Sequence, residues 1–273
     1  MHDSIDRRTF LARATGMTAA TAGGLAAGLH VSSRALAADD GKWGDLVGRL
    51  VYDGPPPTRE PLTVDKDVEC CGKFDIRDES LMVGSGGGLA NVYIYVRSRR
   101  VEVCQELEET VDELVLLDNR DCIFMPHCLT IWYPRQKLHI VNSDPVAQNV
   151  AFSPLGDLPA NIVLPPPPDA AAEATWTFRR RQSKPVPIAC NYHPWESAYI
   201  LPLDTPYATV TAADGTFRIP KLPVGELEFQ VWHERVGYLE TPRWQRGRFE
   251  VTISPGVTEL GTITIAPTWL ESA

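Results

Sequence analysis

Two residue types that bind soft metal ions stand three positions apart in a stretch of strand-forming residues. Cys190 follows a short apolar run, and His193 lies in a turn that leads to a second run at residues 199–203. A strand, a Cys-x-x-His turn and a second strand can present a thiolate and an imidazole to one metal ion, and this pair of ligands favours copper or zinc. The alternative is that Cys190 forms a disulfide and His193 caps the turn.

The cysteine count leaves the pairing open. All six cysteines lie after residue 37, and in an oxidising compartment an even number permits up to about three disulfides in roughly 15 pairings. Adjacent Cys70 and Cys71 rarely bond to each other, because the geometry is strained. A Cys122–Cys190 bridge would remove the thiolate from the candidate site. The six are Cys70, Cys71, Cys104, Cys122, Cys128 and Cys190.

The N-terminus indicates export. Arg7 and Arg8 precede a weakly apolar stretch rich in alanine and glycine, which ends in small residues at Ala37. This is typical of a twin-arginine signal, so residues 1–37 are predicted to be removed by cleavage after Ala37. The alternative is an N-terminal membrane anchor. No later segment approaches a membrane span, and the predicted location is periplasmic or otherwise extracytoplasmic.

The charge of the remaining chain argues against nucleic acid as a partner. The predicted signal holds four arginines and two aspartates, so residues 38–273 carry 22 basic and 33 acidic side chains, a net charge of −11. An acidic surface repels phosphate backbones. It is compatible with a redox partner protein, whose identity the sequence does not indicate.

Short β-branched and aromatic runs, separated by proline, glycine and aspartate clusters, predict an all-β fold. Only residues 106–110 suggest a helical turn. Residues 89–96 and residues 122–132 are each predicted to form one strand. The glycine-rich residues 84–88 precede a strand, which is the wrong order for a phosphate-binding loop.

Two parts of the chain resemble known modules. Residues 208–233 and residues 44–57 with 89–96 resemble the two halves of a carboxypeptidase-regulatory-like (transthyretin-like) β-sandwich, and the part between them resembles a cupredoxin. The whole is similar to the plastocyanin-like methylamine utilisation proteins. The motifs that carry the resemblance are Cys71-Gly-Lys, Gly88-Leu-Ala-Asn-Val, Asp118-Asn, Cys122-x-Phe-x-Pro-His127, Asn142-Ser-Asp-Pro and Cys190-x-x-His193-Pro-Trp.

This resemblance implies a domain organisation. A cupredoxin-like Greek-key β-sandwich at residues 111–203 would be inserted into a split transthyretin-like β-sandwich formed by residues 38–110 and 204–273. Insertions of this kind are tolerated where the two crossing points lie close together.

The same resemblance implies a copper site with altered ligands. The thiolate falls on Cys190 and one imidazole on His193, but the position of the second imidazole holds Gln148 and that of the axial methionine holds Glu196. If the strand at residues 122–132 ends beside the Cys190 turn, His127 completes a set with Cys190, His193 and Glu196 that resembles red-copper cupredoxins. The alternatives are a structural role for His127 and Gln148 as a weak axial donor.

Two functions follow from these patterns. The first is an exported cupredoxin-like protein that binds copper and transfers electrons with an atypical ligand set. The second is a metal-free structural or carbohydrate/protein-binding β-sandwich protein whose copper site has decayed. An enzyme is not predicted, because no serine stands in a strand-to-helix elbow and no pair of carboxylates can be singled out.

Overall fold

The computed structural model describes residues 41–271, and in this range the chain is nearly all β. The predicted export signal, with Arg7, Arg8 and the cleavage after Ala37, lies outside the described residues. Within residues 41–271 none of the helices has the length and apolar character needed to cross a membrane.

Residues 41–271 contain two short α-helices, α1 (Val68–Cys71) and α2 (Gln105–Thr110), and three single turns of 3₁₀-helix at Ser85–Gly87, Ala170–Ala172 and Pro267–Leu270. Seventeen strands make up the rest of the regular structure: β1 (Trp43–Tyr52), β2 (Tyr93–Val96), β3 (Leu114–Arg120), β4 (Ile123–Met125), β5 (Cys128–Trp132), β6 (Lys137–Asn142), β7 (Gln148–Phe152), β8 (Ala160–Leu164), β9 (Glu173–Trp176), β10 (Val186–Ala189), β11 (Ser197–Leu203), β12 (Ala208–Val210), β13 (Thr216–Pro223), β14 (Gly225–His233), β15 (Gly237–Tyr238), β16 (Arg248–Ile253) and β17 (Gly256–Ile265).

The strands form four sheets. Strands β3 to β11 form two of them, in the orders β4-β3-β6-β9 and β5-β11-β10-β7-β8. The other two use only strands that come before or after this run: β13-β1-β17, and β12-β2-β14-β15 with β16 also paired to β14. Strand pairing therefore keeps residues 114–203 together. The two-domain organisation itself remains a prediction.

Three apolar clusters separate the sheets, because successive strand residues point to opposite faces. On β2, Ile94 packs into the cluster under the β13-β1-β17 sheet, whereas Tyr93 and Tyr95 face the other way. On β11, Ile200 points into the cluster between the two sheets of residues 114–203, and Leu201 points toward Tyr93 and Tyr95. The chain is thus an all-β protein of stacked sheets, as the sequence predicts.

The predicted single strand at residues 122–132 is wrong. The run forms two strands, β4 and β5, which belong to different sheets. Pro126 lies between them, and a proline supplies no N–H to a strand ladder. The chain therefore leaves one sheet at Met125 and joins the other at Cys128, and His127 lies in the connection between the two strands.

Candidate metal centre

The hairpin of β10 and β11 positions the Cys-x-x-His turn. The two strands pair as far as Ala189 and Ser197, so residues 190–196 form the turn. The Cys190 N–H donates to the Glu196 carbonyl (3.3 Å), and the Glu196 N–H donates to the His193 carbonyl (2.9 Å). The His193 N–H donates to the Cys190 sulfur (3.4 Å). These bonds fold the turn inward, so all three side chains are buried.

The turn brings a sulfur, a nitrogen and an oxygen ligand together. Ligand atoms of Cys190, His193 and Glu196 all lie within 4.8 Å of one another. His193 Nδ1 is 3.7 Å from Cys190 Sγ and 3.2 Å from Glu196 Oε1. We call these three side chains, with Gln148, the ligand cluster.

Gln148, the first residue of β7, completes the ligand cluster. Its Oε1 lies 2.8 Å from His193 Nδ1 and 3.5 Å from Cys190 Sγ. Its Nε2 donates to Glu196 Oε1 (3.1 Å) and to Asp144 Oδ2 (2.9 Å). The side-chain oxygen of Gln148 therefore faces the place that the thiolate and the imidazole share.

The Cys190 sulfur is a free thiol. The one disulfide among the described residues joins Cys71 to Cys122, and Cys70, Cys104 and Cys128 are also free. The alternative of a Cys122–Cys190 bridge is therefore wrong. The reason lies in the fold: α1 packs Cys71 against the start of β4, where Cys122 is fully buried.

His127 does not join the ligand cluster. Its Nε2 lies 2.7 Å from Glu234 Oε1, and its Nδ1 lies 3.6 Å from Glu79 Oε2. Burial lowers the pKa of His127, but the hydrogen bond and charge of Glu234, with the charge of Glu79, outweigh it and raise the pKa overall. In the structure the ring is thus held by two carboxylates, and Gln148 occupies the place in the cluster that His127 was expected to fill.

Asp67 fixes the His193 ring from the side away from the cluster. His193 Nε2 lies 2.8 Å from Asp67 Oδ2, and Asp67 immediately precedes α1. A carboxylate on the far ring nitrogen orients a metal-binding histidine and raises its basicity. The sequence gives no signal for Asp67, because it is 126 positions away from His193. No local pattern links the two residues.

The surroundings of His193 favour the charged form of its imidazole. Burial lowers the pKa of His193, but hydrogen bonds to Cys190, Glu196 and Asp67 outweigh this and raise the pKa to about 10. Burial also raises the pKa of Asp144, the carboxyl that accepts a hydrogen bond from Gln148. The groups around the ring therefore favour imidazolium at His193, and burial favours the neutral form of Asp144.

One atom of the cluster indicates that a cation fits there. Glu196 Oε2 is buried and accepts no hydrogen bond from any of the described residues. An unpartnered buried carboxylate oxygen is costly, and a metal ion would satisfy it. A thiolate, an imidazole and a carboxylate are together a chemically suitable donor set for copper or zinc.

We expect Asp67→Asn to weaken copper binding by about tenfold or more, because losing such an outer hydrogen bond typically costs a metal site 10- to 100-fold in affinity. Competition with a chelator of known affinity measures the effect. Asp65→Asn is the matched control, since Asp65 is an exposed aspartate in the same loop. Equal affinities for the two variants would show that Asp67 does not orient the ring.

No family model and no curated protein matches the chain. Among solved structures, it is similar to amicyanin from Paracoccus versutus, with 15% identity, a TM-score of 0.28, and coverage of 40% of this chain and 97% of that one. The reduced Cu(I) form of an amicyanin mutant at pH 4 gives 14% identity, a TM-score of 0.27, and coverage of 40% and 98%.

A copper-containing nitrite reductase from Thermus scotoductus SA-01 is also similar, with 16% identity, a TM-score of 0.27, and coverage of 33% of this chain and 22% of that one. The chain thus spans about a fifth of that reductase. The resemblance to methylamine utilisation proteins gains no support from these comparisons and stays a prediction. The functional assignment depends on the geometry of the described residues.

Proposed function

We propose that this chain binds one copper ion through Cys190, His193, Glu196 and Gln148 and serves as an electron-transfer protein. The observation that carries the proposal is the buried free thiol of Cys190, 3.7 Å from the inward-facing Nδ1 of His193. The unpartnered Oε2 of Glu196 supports it. When bound, copper would supply a one-electron Cu(II)/Cu(I) couple.

The ligand types set the expected properties of the site. Soft thiolate ligands favour Cu(I), and imidazole suits copper in either state. The carboxylate of Glu196 and the amide oxygen of Gln148 are harder donors, which stabilise Cu(II) and lower the reduction potential. With one imidazole in place of two, the site departs from the two-histidine, one-cysteine arrangement of blue-copper proteins.

Copper binding should strengthen as the pH rises. The pKa of His193 in the metal-free chain is raised to about 10. A proton must therefore leave the ring before Nδ1 can bind a metal. We therefore expect the apparent affinity to increase steadily between about pH 6 and pH 9, by up to tenfold per pH unit for each proton released. Chelator competition at several pH values measures it. A pH-independent affinity would show that His193 is not a ligand.

The absorption spectrum of the copper-loaded protein tests the ligand set. A carboxylate and a single imidazole predict weak or shifted visible absorption instead of an intense blue band. An intense blue band would contradict the assignment of Glu196. Replacing Glu196 by methionine supplies a soft, weak donor, and this variant should move the spectrum toward that of a blue-copper site.

A second candidate function is a metal-free structural or ligand-binding β-sandwich protein. It is favoured by one observation: each polar side-chain atom of His193 and Gln148 has a hydrogen-bond partner within the protein. Metal titration separates the two functions. The second predicts that neither copper nor zinc binds stoichiometrically or raises the unfolding temperature.

We also propose a domain organisation around the copper site and a cellular location. Residues 111–203 would be the cupredoxin-like domain, inserted into a transthyretin-like scaffold that docks a redox partner protein. The pairing of β3 to β11 only with one another supports this division. Export to the periplasm is also proposed, and mass spectrometry of protein recovered from that compartment would test it by locating the N-terminus after Ala37.

A further inference from the structure

A groove of about 1000 Å³ lies apart from the ligand cluster and is rich in arginine. Five arginines line it: Arg97, Arg99, Arg100, Arg181 and Arg248. Only two acidic side chains line it, although the chain as a whole has 35 acidic and 26 basic residues. This concentration of positive charge therefore runs against the composition of the protein.

The two acids leave most of this charge uncompensated. Glu228 Oε2 lies 2.6 Å from Arg97 Nη1, and Asp204 Oδ1 lies 3.5 Å from Arg181 Nη1. Within residues 41–271, no carboxylate forms an ion pair with the other three arginines of the groove. The buried Nε of Arg248 also lacks a hydrogen-bond acceptor among these residues. The groove thus presents donors that an anionic ligand would satisfy.

The positive surface continues beyond this groove. An adjoining depression of about 690 Å³ shares Arg181 and adds Arg179 and Arg180. The acid in this depression, Asp157, accepts hydrogen bonds from the backbone N–H groups of Arg179 (2.7 Å) and Arg180 (3.1 Å). Asp157 therefore binds the backbone of the loop, and the side chains of Arg179 and Arg180 stay exposed. We call the two depressions, which share Arg181, the arginine groove.

The arginine groove is separate from the ligand cluster. Strand β11 lies between them, with Glu196 of the cluster directly before it and Asp204 of the groove directly after it. Eight residue steps at about 3.3 Å each place the two ends roughly 25 Å apart. A molecule in the groove therefore does not touch the cluster, and its binding is a function distinct from metal binding.

We propose that the arginine groove binds an acidic polysaccharide, an extended chain with carboxylate or sulfate groups on successive sugars. Arginine guanidinium groups bind such planar or tetrahedral oxyanions through two parallel hydrogen bonds. The two depressions offer several separate guanidinium groups, which suits a polymer that carries an anionic group on each repeat. The hydroxyl groups of Ser98, Ser183 and Tyr238 also line the groove and can bond sugar hydroxyls.

Calorimetric titration tests this proposal with four probes: polygalacturonate, heparin fragments, neutral dextran and poly-glutamate. We expect binding to at least one of the two acidic polysaccharides, none to dextran, and weaker binding as salt is raised, because salt screens exposed charges. No binding to either acidic polysaccharide at low salt would overturn the proposal. Tighter binding of poly-glutamate than of both polysaccharides would also overturn it, and would assign an acidic protein segment to the groove.

A pair of matched variants locates the binding. Arg99→Glu reverses an exposed charge in the groove, and Arg243→Glu reverses an exposed charge outside it. Losing one charge-assisted hydrogen bond predicts about tenfold weaker binding for Arg99→Glu and no change for Arg243→Glu. Equal weakening in both would mean that net charge alone attracts the polymer, which contradicts a built site. The measurement needs no metal, so its outcome is independent of copper binding.

Discussion

Replacing Cys190 by alanine is expected to abolish copper binding. The thiolate is the softest donor of the ligand cluster, and the remaining nitrogen and oxygen donors hold copper far more weakly. The wild-type chain should keep stoichiometric copper after loading and desalting, and the variant should keep none. Elemental analysis by plasma mass spectrometry, with the protein concentration measured in parallel, gives this ratio directly.

Cys104→Ala is the matched control for this prediction. Cys104 is also a buried free thiol, but it lies directly before α2 and does not belong to the ligand cluster. Its backbone N–H donates to the Tyr207 hydroxyl. This variant should keep its copper. Thermal unfolding of both metal-free variants shows whether the fold survives. If Cys190→Ala is folded and still binds stoichiometric copper, Cys190 is not a ligand.

Replacing Cys122 by serine is expected to lower the free energy of unfolding by about 4 kcal/mol, from the loss of loop-closure entropy. The Cys71–Cys122 disulfide closes a loop across a sequence separation of 51 residues. Removing it frees the unfolded chain, while the serine leaves a small polar group in a buried apolar cluster. Urea unfolding of the metal-free protein under non-reducing conditions measures the change.

The adjacent cysteine supplies the control for the disulfide. Cys70→Ser changes a half-buried free thiol, and we expect its free energy of unfolding to fall by less than about 1 kcal/mol, as is usual for substitutions outside the core. If Cys70→Ser destabilises the chain as much as Cys122→Ser does, then Cys70 is the bonded partner. Peptide mapping of the non-reduced wild-type protein would confirm the pairing.

The disulfide also supports the ligand cluster. The Cys122 N–H donates to Asp144 Oδ2, the same oxygen that accepts from Gln148, and Trp195 Nε1 donates to the Cys122 carbonyl. On the other side of the bond, α1 begins directly after Asp67. The bridge therefore ties the loop that orients His193 to the turn before β4, which holds Gln148 through Asp144.

The local part of the site was predictable from sequence. A hairpin turn fixes which side chains point inward, so the spacing of Cys190, His193 and Glu196 is enough to bring their ligand atoms together. The all-β class was predictable for a similar reason, because the alternation of apolar and polar residues along each strand reflects its two faces.

The long-range part of the site was not predictable in the same way. The position of His127 depended on whether one strand continues through Pro126. The strand ends before Pro126, and the His127 ring lies beside Glu234 and Glu79. Asp67 is held beside His193 by packing between distant segments, which leaves no mark in the spacing of either. The cysteine pairing likewise depends on which loops meet in space.

The most direct test of the copper proposal is X-ray absorption spectroscopy at the copper edge of the loaded wild-type protein. One sulfur scatterer with a shell of nitrogen and oxygen atoms is expected, and Cys104→Ala, which should keep its copper, should show the same sulfur contribution. A spectrum of the wild-type protein with only nitrogen and oxygen neighbours would contradict the proposal, because it would place the ion away from the Cys190 thiolate.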